Sequence, residues 1–257
     1  MNQKIKFILK AAQWSVFAAV VYFPVPLAST LYLYRQKDPD IEMYVQENLE
    51  QIIEKQEEKL GITYPAERPK IEYVFPEKKI HLGVMGFYDD GEDAIYLPSG
   101  LLTRPEWNVD DFVATIATFN NTVDAKRTLD HELAHFYFDK KKEISLGEDY
   151  HIFQLWEFLP EEHIANLLIN ESIATYVENV MNGEDKEPFD LQEWPSEAKQ
   201  FSDDVIYRGG YALVKPIIDK YGKKGIHFLL FNPPTPKELF TPKEYQEKTF
   251  EKIAKLQ

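Results

Sequence analysis

The chain has 257 residues, of which 44% are hydrophobic and 28% charged, so it contains enough apolar material to bury one sizeable core. Disorder as the main state is therefore excluded. Its 43 acidic residues outnumber the 29 basic ones, and the net charge of −14 argues against nucleic acid as a partner. The sequence contains no cysteine, which excludes disulfides, a thiol nucleophile and thiolate metal ligands.

The N-terminal segment, residues 1–37, differs from the rest because it carries five basic and no acidic residues. Residues 11–34 are uncharged, and about 20 apolar residues are enough to cross the hydrocarbon core of a bilayer. We therefore predict a signal-anchor or transmembrane helix over 1–37, in a single-pass topology that places residues 38–257 outside the cytoplasm. Two alternatives stay open, since Pro24 and Pro26 also fit a cleaved signal peptide with secretion, and a buried core helix would be equally apolar.

The next residues predict one amphipathic helix followed by a small sheet. Apolar residues recur at helical spacing over 41–60, and Gly61 stands where a C-cap glycine belongs. Beyond Pro69 the pattern changes to short β-type runs, which predict strands at 71–75, 80–88 and 94–97. Asp90-Gly91 is typical of a turn between the last two strands. We expect the sheet to be mainly antiparallel.

The remainder of the chain is predicted to be largely helical. Periodic apolar residues with flanking prolines and glycines indicate helices at 109–119, 124–140, 160–182, 196–221 and 242–256. Pro160 and Pro242 stand at helix starts, Gly183 stands at a helix end, and Pro216 lies inside a helix, where we expect a kink. The predicted fold class is therefore α+β, with one mainly helical domain over 38–257.

The sharpest chemical signal is the stretch His131-Glu132-Leu133-Ala134-His135 within the helix predicted at 124–140. Residues four apart lie on the same face of a helix, so both imidazoles are directed at one point. A catalytic zinc ion accepts histidine nitrogens and keeps one position for water, so a third protein ligand must come from elsewhere. Glu132 is placed to take a proton from that water. The alternative is a pair of half-buried helix histidines beside a surface glutamate.

A second motif, Asn170-Glu171 followed by Ala174, Tyr176 and Glu178, lies in the helix predicted at 160–182. A carboxylate on that helix can complete a zinc site. Together the two stretches resemble the gluzincin metallopeptidases, whose paired helices carry His-Glu-x-x-His and then Asn-Glu with a following Ala-x-Tyr-x-Glu. The resemblance implies a zincin-like fold in which Glu171 is the third zinc ligand, beside His131 and His135.

A third stretch, Tyr207-Arg208-Gly209-Gly210-Tyr211-Ala212-Leu213, is similar to the Tyr-x-x-Gly-aromatic-x-Leu helix of the aminopeptidase N and leukotriene A4 hydrolase branch. The resemblance implies that Tyr207 stabilises the oxyanion formed during hydrolysis. Tyr211, one helical turn further along, is the rival donor. An ordinary tyrosine on an amphipathic helix is the structural alternative for Tyr207.

The residues also suggest amide hydrolysis when they are considered without the family. Zinc acidifies its bound water and polarises a carbonyl, Glu132 would serve as general base, and Tyr207 would donate to the developing negative charge. We therefore expect a membrane-tethered zinc peptidase that acts on peptides or proteins. Other hypotheses are a degenerate gluzincin fold that binds a partner without cleaving it, and a zinc hydrolase of a non-peptide bond. The oligomeric state is left open.

The chain departs from the gluzincin pattern in two places. The segment between His135 and Glu171 is longer than is usual in the aminopeptidase branch, so residues 141–160 are predicted to form an inserted loop or a cover over the cleft. Thr175 stands where thermolysin-like relatives carry an aspartate that supports a zinc histidine. Candidates for that support are Asp139 and Glu178, although solvated helix charges are the favoured interpretation of both. The remaining histidines lack ligand spacing and are interpreted as surface or core residues, namely His81, His151, His163 and His227.

The predicted strands carry information about how a substrate would be cut. In the aminopeptidase branch a Gly-x-Met-Glu-Asn stretch holds the substrate's free amino group through its glutamate. The most similar stretch here is Gly83-Val84-Met85-Gly86-Phe87, which lacks that carboxylate. We therefore expect internal cleavage, with aminopeptidase activity as the alternative. Residues 86–97 are a candidate edge strand for pairing with extended substrate, and a hairpin that only covers the core is an equal alternative.

Overall fold

The computed structural model describes residues 39–73, 86–97, 122–142, 160–185, 189–197 and 200–256. These residues form a mainly helical structure with one small sheet, which confirms the predicted α+β class. The first helix, α1 (Pro39–Leu60), buries its apolar stripe and ends at Gly61, whose φ of 65° is the left-handed conformation expected of a C-cap glycine.

The sheet contains the strands β1 (Lys70–Glu72), β2 (Phe87–Asp89) and β3 (Ala94–Tyr96), in the order β1-β3-β2. Strands β2 and β3 are antiparallel, as predicted, and are joined by the turn that contains Asp90-Gly91. Strands β1 and β3 are parallel, so the sheet is mixed and the expectation of a mainly antiparallel sheet is wrong for β1. The reason is the connection, because β1 and β3 are separated by a long segment that includes β2 and lets the chain return in the same direction.

Two long helices form the centre of the molecule, namely α2 (Thr122–Lys142) and α3 (Glu161–Asn182). Both were predicted from the sequence, and they make the most extensive helix–helix contact among the described elements. Helix α3 begins after Pro160 and ends at Gly183, whose φ of 68° and backbone N–H bonds form a left-handed cap. The predicted ends of α3 are therefore confirmed.

The helix predicted at 196–221 starts later than expected. A π-helical turn over Val205–Gly209 leads directly into α4 (Gly210–Tyr221), which contains Pro216. The residues before it are anchored by Trp194, whose ring packs edge-on against Phe201 at 5.9 Å and whose Nε1 donates to the carbonyl of Leu239 at 2.7 Å. These contacts join Trp194 to residues on both sides of the π-helical turn.

The chain ends in two further helices, α5 (Lys223–Phe231) and α6 (Pro242–Lys255). The start of α6 at Pro242 was predicted, whereas α5 was not. Gly222 has a φ of 55° and separates α4 from α5, and Gly225 makes the short sequence of α5 a weak helix signal. Helices α4, α5 and α6 pack against one another beside α3.

Several predicted segments lie outside the residues that the structure describes. They are the membrane segment at 1–37, residues 74–75 and 80–85 of the first two predicted strands, the helix at 109–119, and residues 143–159 of the predicted cover. Among the helices described, none is both long enough and apolar enough to cross a membrane.

Candidate metal centre

Two histidines of α2 and one glutamate of α3 direct their side chains at a common position. His131 Nε2 lies 3.1 Å from His135 Nε2 and 3.2 Å from Glu171 Oε2, and His135 Nε2 lies 3.6 Å from Glu171 Oε1. The side chains are largely buried, with exposed fractions of 12%, 9% and 9% for His131, His135 and Glu171. One donor atom of each residue lies within 4.8 Å of the others. The structure thus brings the three predicted ligands together as a candidate metal-binding group.

Buried polar contacts with α1 and its following segment fix the position of α2. Asp130, which precedes His131, accepts hydrogen bonds from Lys126 Nζ at 2.7 Å and from Gln56 Nε2 of α1 at 3.0 Å. The hydroxyl of Tyr64 donates to the carbonyl of Leu133 at 3.1 Å. Because Asp130 and Gln56 are fully buried, these bonds replace the hydrogen bonds to water that both groups lose on folding. They also fix the position of α2 relative to α1.

Glu178 supports the first histidine. Its Oε2 lies 3.4 Å from His131 Nδ1, and its side chain is only 17% exposed, so the interpretation of Glu178 as a solvated charge is wrong. This contact favours the tautomer with a proton on Nδ1 and leaves the Nε2 lone pair of His131 free to bind a metal. Asp139 instead accepts from the hydroxyl of Tyr88 at 3.1 Å. Thr175 is buried, and within the described ranges its Oγ1 has no hydrogen-bond partner.

The buried histidine and glutamate have opposite pKa shifts. Burial alone would lower the pKa of His131, but its hydrogen bonds to Glu171 and Glu178 outweigh burial and raise that pKa well above the ordinary value. Burial acts to raise the pKa of Glu171, whereas the charges of His135 and His131 lower it well below the usual range. Without a metal, these contacts therefore favour a protonated His131 beside an ionised Glu171.

Glu132 lies beside the metal-binding group and under the sheet. It is 7% exposed, and its carboxylate accepts a hydrogen bond from the backbone N–H of Tyr88 in strand β2. Burial raises the pKa of Glu132, while the charges of His131 and His135 lower it. The carboxylate of Glu132 thus lies between strand β2 and the two histidines of α2.

Tyr207 faces the same centre from the π-helical turn. Its ring centroid lies 6.3 Å from that of His131. The negative charge of Glu171, followed by burial, raises the pKa of Tyr207 well above its ordinary value, so the hydroxyl keeps its proton. Tyr211 points elsewhere, because its hydroxyl donates to Asp185 at 2.6 Å. Of the two tyrosines considered, Tyr207 is the one at the centre.

A glycine allows this turn to approach α3 closely. A Cβ atom added to Gly210 would lie 1.9 Å from Ser172 Oγ, which is far inside contact distance. Ser172 follows Glu171 in α3, so the contact sets the start of α4 directly against the ligand-bearing turn. The π-helical turn, with its extra residue, precedes this contact and carries Tyr207.

The other described histidines do not reach the centre. His163 is exposed in the first turn of α3. His227 in α5 pairs its Nε2 with the hydroxyl of Tyr137 at 2.8 Å, and burial, with the nearby charges of Lys223 and Lys141, lowers its pKa. His81 and His151 lie outside the described residues. The interpretation of His163 as a surface residue is confirmed, and His227 is partly buried.

Two residues at the centre, Glu178 and Tyr88, were not assigned to it from the sequence. A signal for Glu178 was present, since it follows Glu171 by two helical turns and therefore lies on the same face of α3. Tyr88 acts through its backbone N–H, which any residue except proline carries, so side-chain chemistry gave no signal for it.

Comparisons with protein-family models, with curated proteins and with solved structures find no match for this chain.

Proposed function

We propose that the chain is a zinc-dependent metallopeptidase of the gluzincin kind, with His131, His135 and Glu171 as the zinc ligands. The observation that carries the proposal is the spacing of their donor atoms, which is 3.1, 3.2 and 3.6 Å. Ligands about 2.0–2.1 Å from a tetrahedral zinc ion are about 3.3–3.4 Å from one another. The separations of His131 Nε2 from His135 Nε2 and from Glu171 Oε2 are close to that value, and the 3.6 Å distance from His135 Nε2 is to the other oxygen of Glu171, Oε1.

The chemistry of the donors also favours zinc. Two imidazoles and one carboxylate, with no thiolate, match the three protein ligands of many catalytic zinc sites, which leave a fourth position for water. When bound there, zinc would acidify that water and polarise a substrate carbonyl. The support of His131 by Glu178 is what such a site requires to fix the ligand tautomer.

Two residues of the chain have positions suited to the remaining steps of hydrolysis. Glu132 is next to the ligands and held by a backbone N–H, so its carboxylate is placed to accept a proton and to pass it to a leaving amine. Tyr207 retains its hydroxyl proton beside Glu171, and it would donate a hydrogen bond to the oxygen on which negative charge develops. Both roles use side chains that already surround the metal-binding group.

We propose peptides or proteins as the substrate and internal cleavage as the mode of attack. Gly86 and Phe87 stand where the aminopeptidase branch has a glutamate and an asparagine, and Phe87 is buried and stacked on Tyr96 with ring centroids 4.7 Å apart. Neither residue has a side-chain carboxylate to pair with the ammonium group of a substrate. We further propose that residues 1–37 tether the enzyme to a membrane as a single pass, with the catalytic part outside the cytoplasm.

The experiment uses the full-length chain purified in detergent, with its zinc content measured by elemental analysis and its activity measured on a peptide mixture by mass spectrometry. Wild type should hold about one zinc ion per chain and cleave peptides. His131→Ala combined with His135→Ala should lose zinc, whereas Glu132→Gln should keep zinc and lose hydrolysis, because an amide cannot accept the proton. Glu162→Gln, at an exposed position of α3, serves as the matched control and should change neither property.

Each result separates the proposal from its rivals. Zinc-loaded wild type that binds peptides but never cleaves them would favour a binding protein with a degenerate site. Wild type without zinc, or full zinc retention in the double histidine variant, would refute the metal centre. A matched pair of peptides, one with a free N-terminus and one N-acetylated, decides the mode: comparable kcat/KM supports internal cleavage, and removal of single residues from the free peptide alone shows an aminopeptidase.

A further inference from the structure

A series of ion pairs leads from the metal-binding group to the protein surface. Glu178 contacts His131 Nδ1 at 3.4 Å, and its other side meets Arg127, whose Nη2 and Nε lie 3.0 and 3.2 Å from Glu178 Oε1. The same guanidinium contacts Glu184, with Nη1 at 3.3 Å from Oε1 and Nη2 at 3.0 Å from Oε2. All three nitrogens of Arg127 are thus engaged by carboxylates.

The two oxygens of Glu178 have different partners. Oε2 is directed at the Nδ1 atom of His131, and Oε1 is directed at Arg127. Arg127 precedes His131 by one helical turn, so both residues lie on the face of α2 that meets Glu178 of α3. A carboxylate held on one side by an arginine fork cannot swivel freely, and its second oxygen stays aimed at the histidine ring.

The outer end of this series of ion pairs, at Glu184, also has a fixed position. Gly183 closes α3 in the left-handed conformation, and the N–H of Glu184 donates to the carbonyl of Asn179 at 2.9 Å. This cap returns the backbone toward α2 and places the Glu184 carboxylate against Arg127. The guanidinium is therefore held between two carboxylates of one helix end, with only 34% of its side chain exposed.

We infer that Arg127 is a positioning residue of the metal centre: it orients the Glu178 carboxylate that fixes the ring of His131. The inference rests on the proposed function, because it concerns the strength with which His131 holds a metal. Supporting partners of metal-binding histidines change metal affinity by about 10- to 100-fold when they are removed. Arg127 acts one contact further out, so its removal should fall near the lower end of this range.

The test measures the zinc affinity of the full-length chain in detergent by competition with a chromophoric chelator. Arg127→Ala should weaken zinc binding about tenfold. Arg127→Lys keeps the charge and loses the fork, so its loss should be smaller than that of the alanine variant. The matched control is Arg68→Ala on another part of the molecule, since Arg68 is an equally exposed arginine (33% of its side chain) that bonds to a glutamate. Its Nη2 and Nε lie 2.8 and 3.0 Å from the two oxygens of Glu50. The control should leave zinc affinity unchanged.

A double variant identifies the route of the effect. Because Arg127 is inferred to act through Glu178, Arg127→Ala should cost little further affinity once Glu178→Gln is present. Circular dichroism of the metal-free variants reports whether they fold, and Arg127→Lys carries the test if the alanine variant does not. Unchanged zinc affinity in the folded Arg127 variants, or equal losses in the Arg68 control, would overturn the inference while leaving the proposed function intact. Wild type that binds no zinc would overturn both.

Discussion

The contact between Gly210 and Ser172 makes a prediction whose size follows from the structure. Gly210→Ala would add a Cβ atom 1.9 Å from Ser172 Oγ, 3.0 Å from Ser172 Cβ and 3.2 Å from Leu168 Cδ1. Carbon atoms in good contact are about 3.5–4.0 Å apart. The serine can rotate its Oγ away only by giving up its hydrogen bond to the carbonyl of Leu168. The overlap with Ser172 Cβ then still remains, so α4 must move away from α3.

Overpacking of this kind costs about 1–3 kcal/mol, and we expect the upper end because one overlap involves an atom in a hydrogen bond. Alanine in a helix interior returns about 1 kcal/mol relative to glycine. The net loss in the free energy of unfolding should therefore be about 2 kcal/mol. In a Ser172→Ala background the Oγ overlap is gone, and the same change should cost about 1 kcal/mol or less.

Urea unfolding of the full-length chain, followed by far-ultraviolet circular dichroism, measures these four variants as a double-mutant cycle. The shift of α4 should also move Tyr207 relative to Glu171, so Gly210→Ala should lower kcat while zinc binding is kept. If Gly210→Ala is as stable as wild type, or if it costs the same with serine and with alanine at 172, the close approach of α4 to α3 is not what the glycine provides.

Three further predictions concern the oxyanion donor, the N-terminal segment and a histidine away from the metal centre. Tyr207→Phe should lower kcat more than it raises KM. Tyr211→Phe should leave kcat near wild type, because the hydroxyl of Tyr211 bonds to Asp185. Steady-state kinetics with the opposite result would assign the oxyanion role to Tyr211. The full-length chain should stay with membranes at high salt, since apolar burial is not screened, and a soluble chain starting near residue 30 would contradict an uncleaved anchor. The pKa of His227 is lowered, so its stabilising contribution is complete above the ordinary imidazole pKa of about 6.5 and declines as the pH falls through the lowered value. Between about pH 7 and pH 5 the urea midpoint should therefore drop more in wild type than in His227→Gln. Equal drops would refute the lowered pKa.

The sequence determined those features that depend on residues close together in the chain. Helix α1 with Gly61, helix α3 between Pro160 and Gly183, and the start of α6 follow from periodic apolar residues and from cap residues that act within one or two turns. The pairing of His131 with His135 follows from helix geometry alone, because residues four apart lie on one face. That Glu171 joins them was implied by the resemblance of its motif to that of the gluzincins.

Contacts between distant segments decided the rest. The parallel pairing of β1 with β3 depends on the path of the whole connection, which no local pattern reveals. Asp139 and Glu178 are both acidic helix residues, so the local sequence pattern does not show which of them contacts His131. Tyr207 and Tyr211 lie one helical turn apart, so the same pattern does not show which hydroxyl is near the metal centre. Which carboxylate supports His131, and which hydroxyl faces the metal centre, depends on how α2, α3 and α4 pack, because only packing fixes which side chains come within a few ångströms of each other.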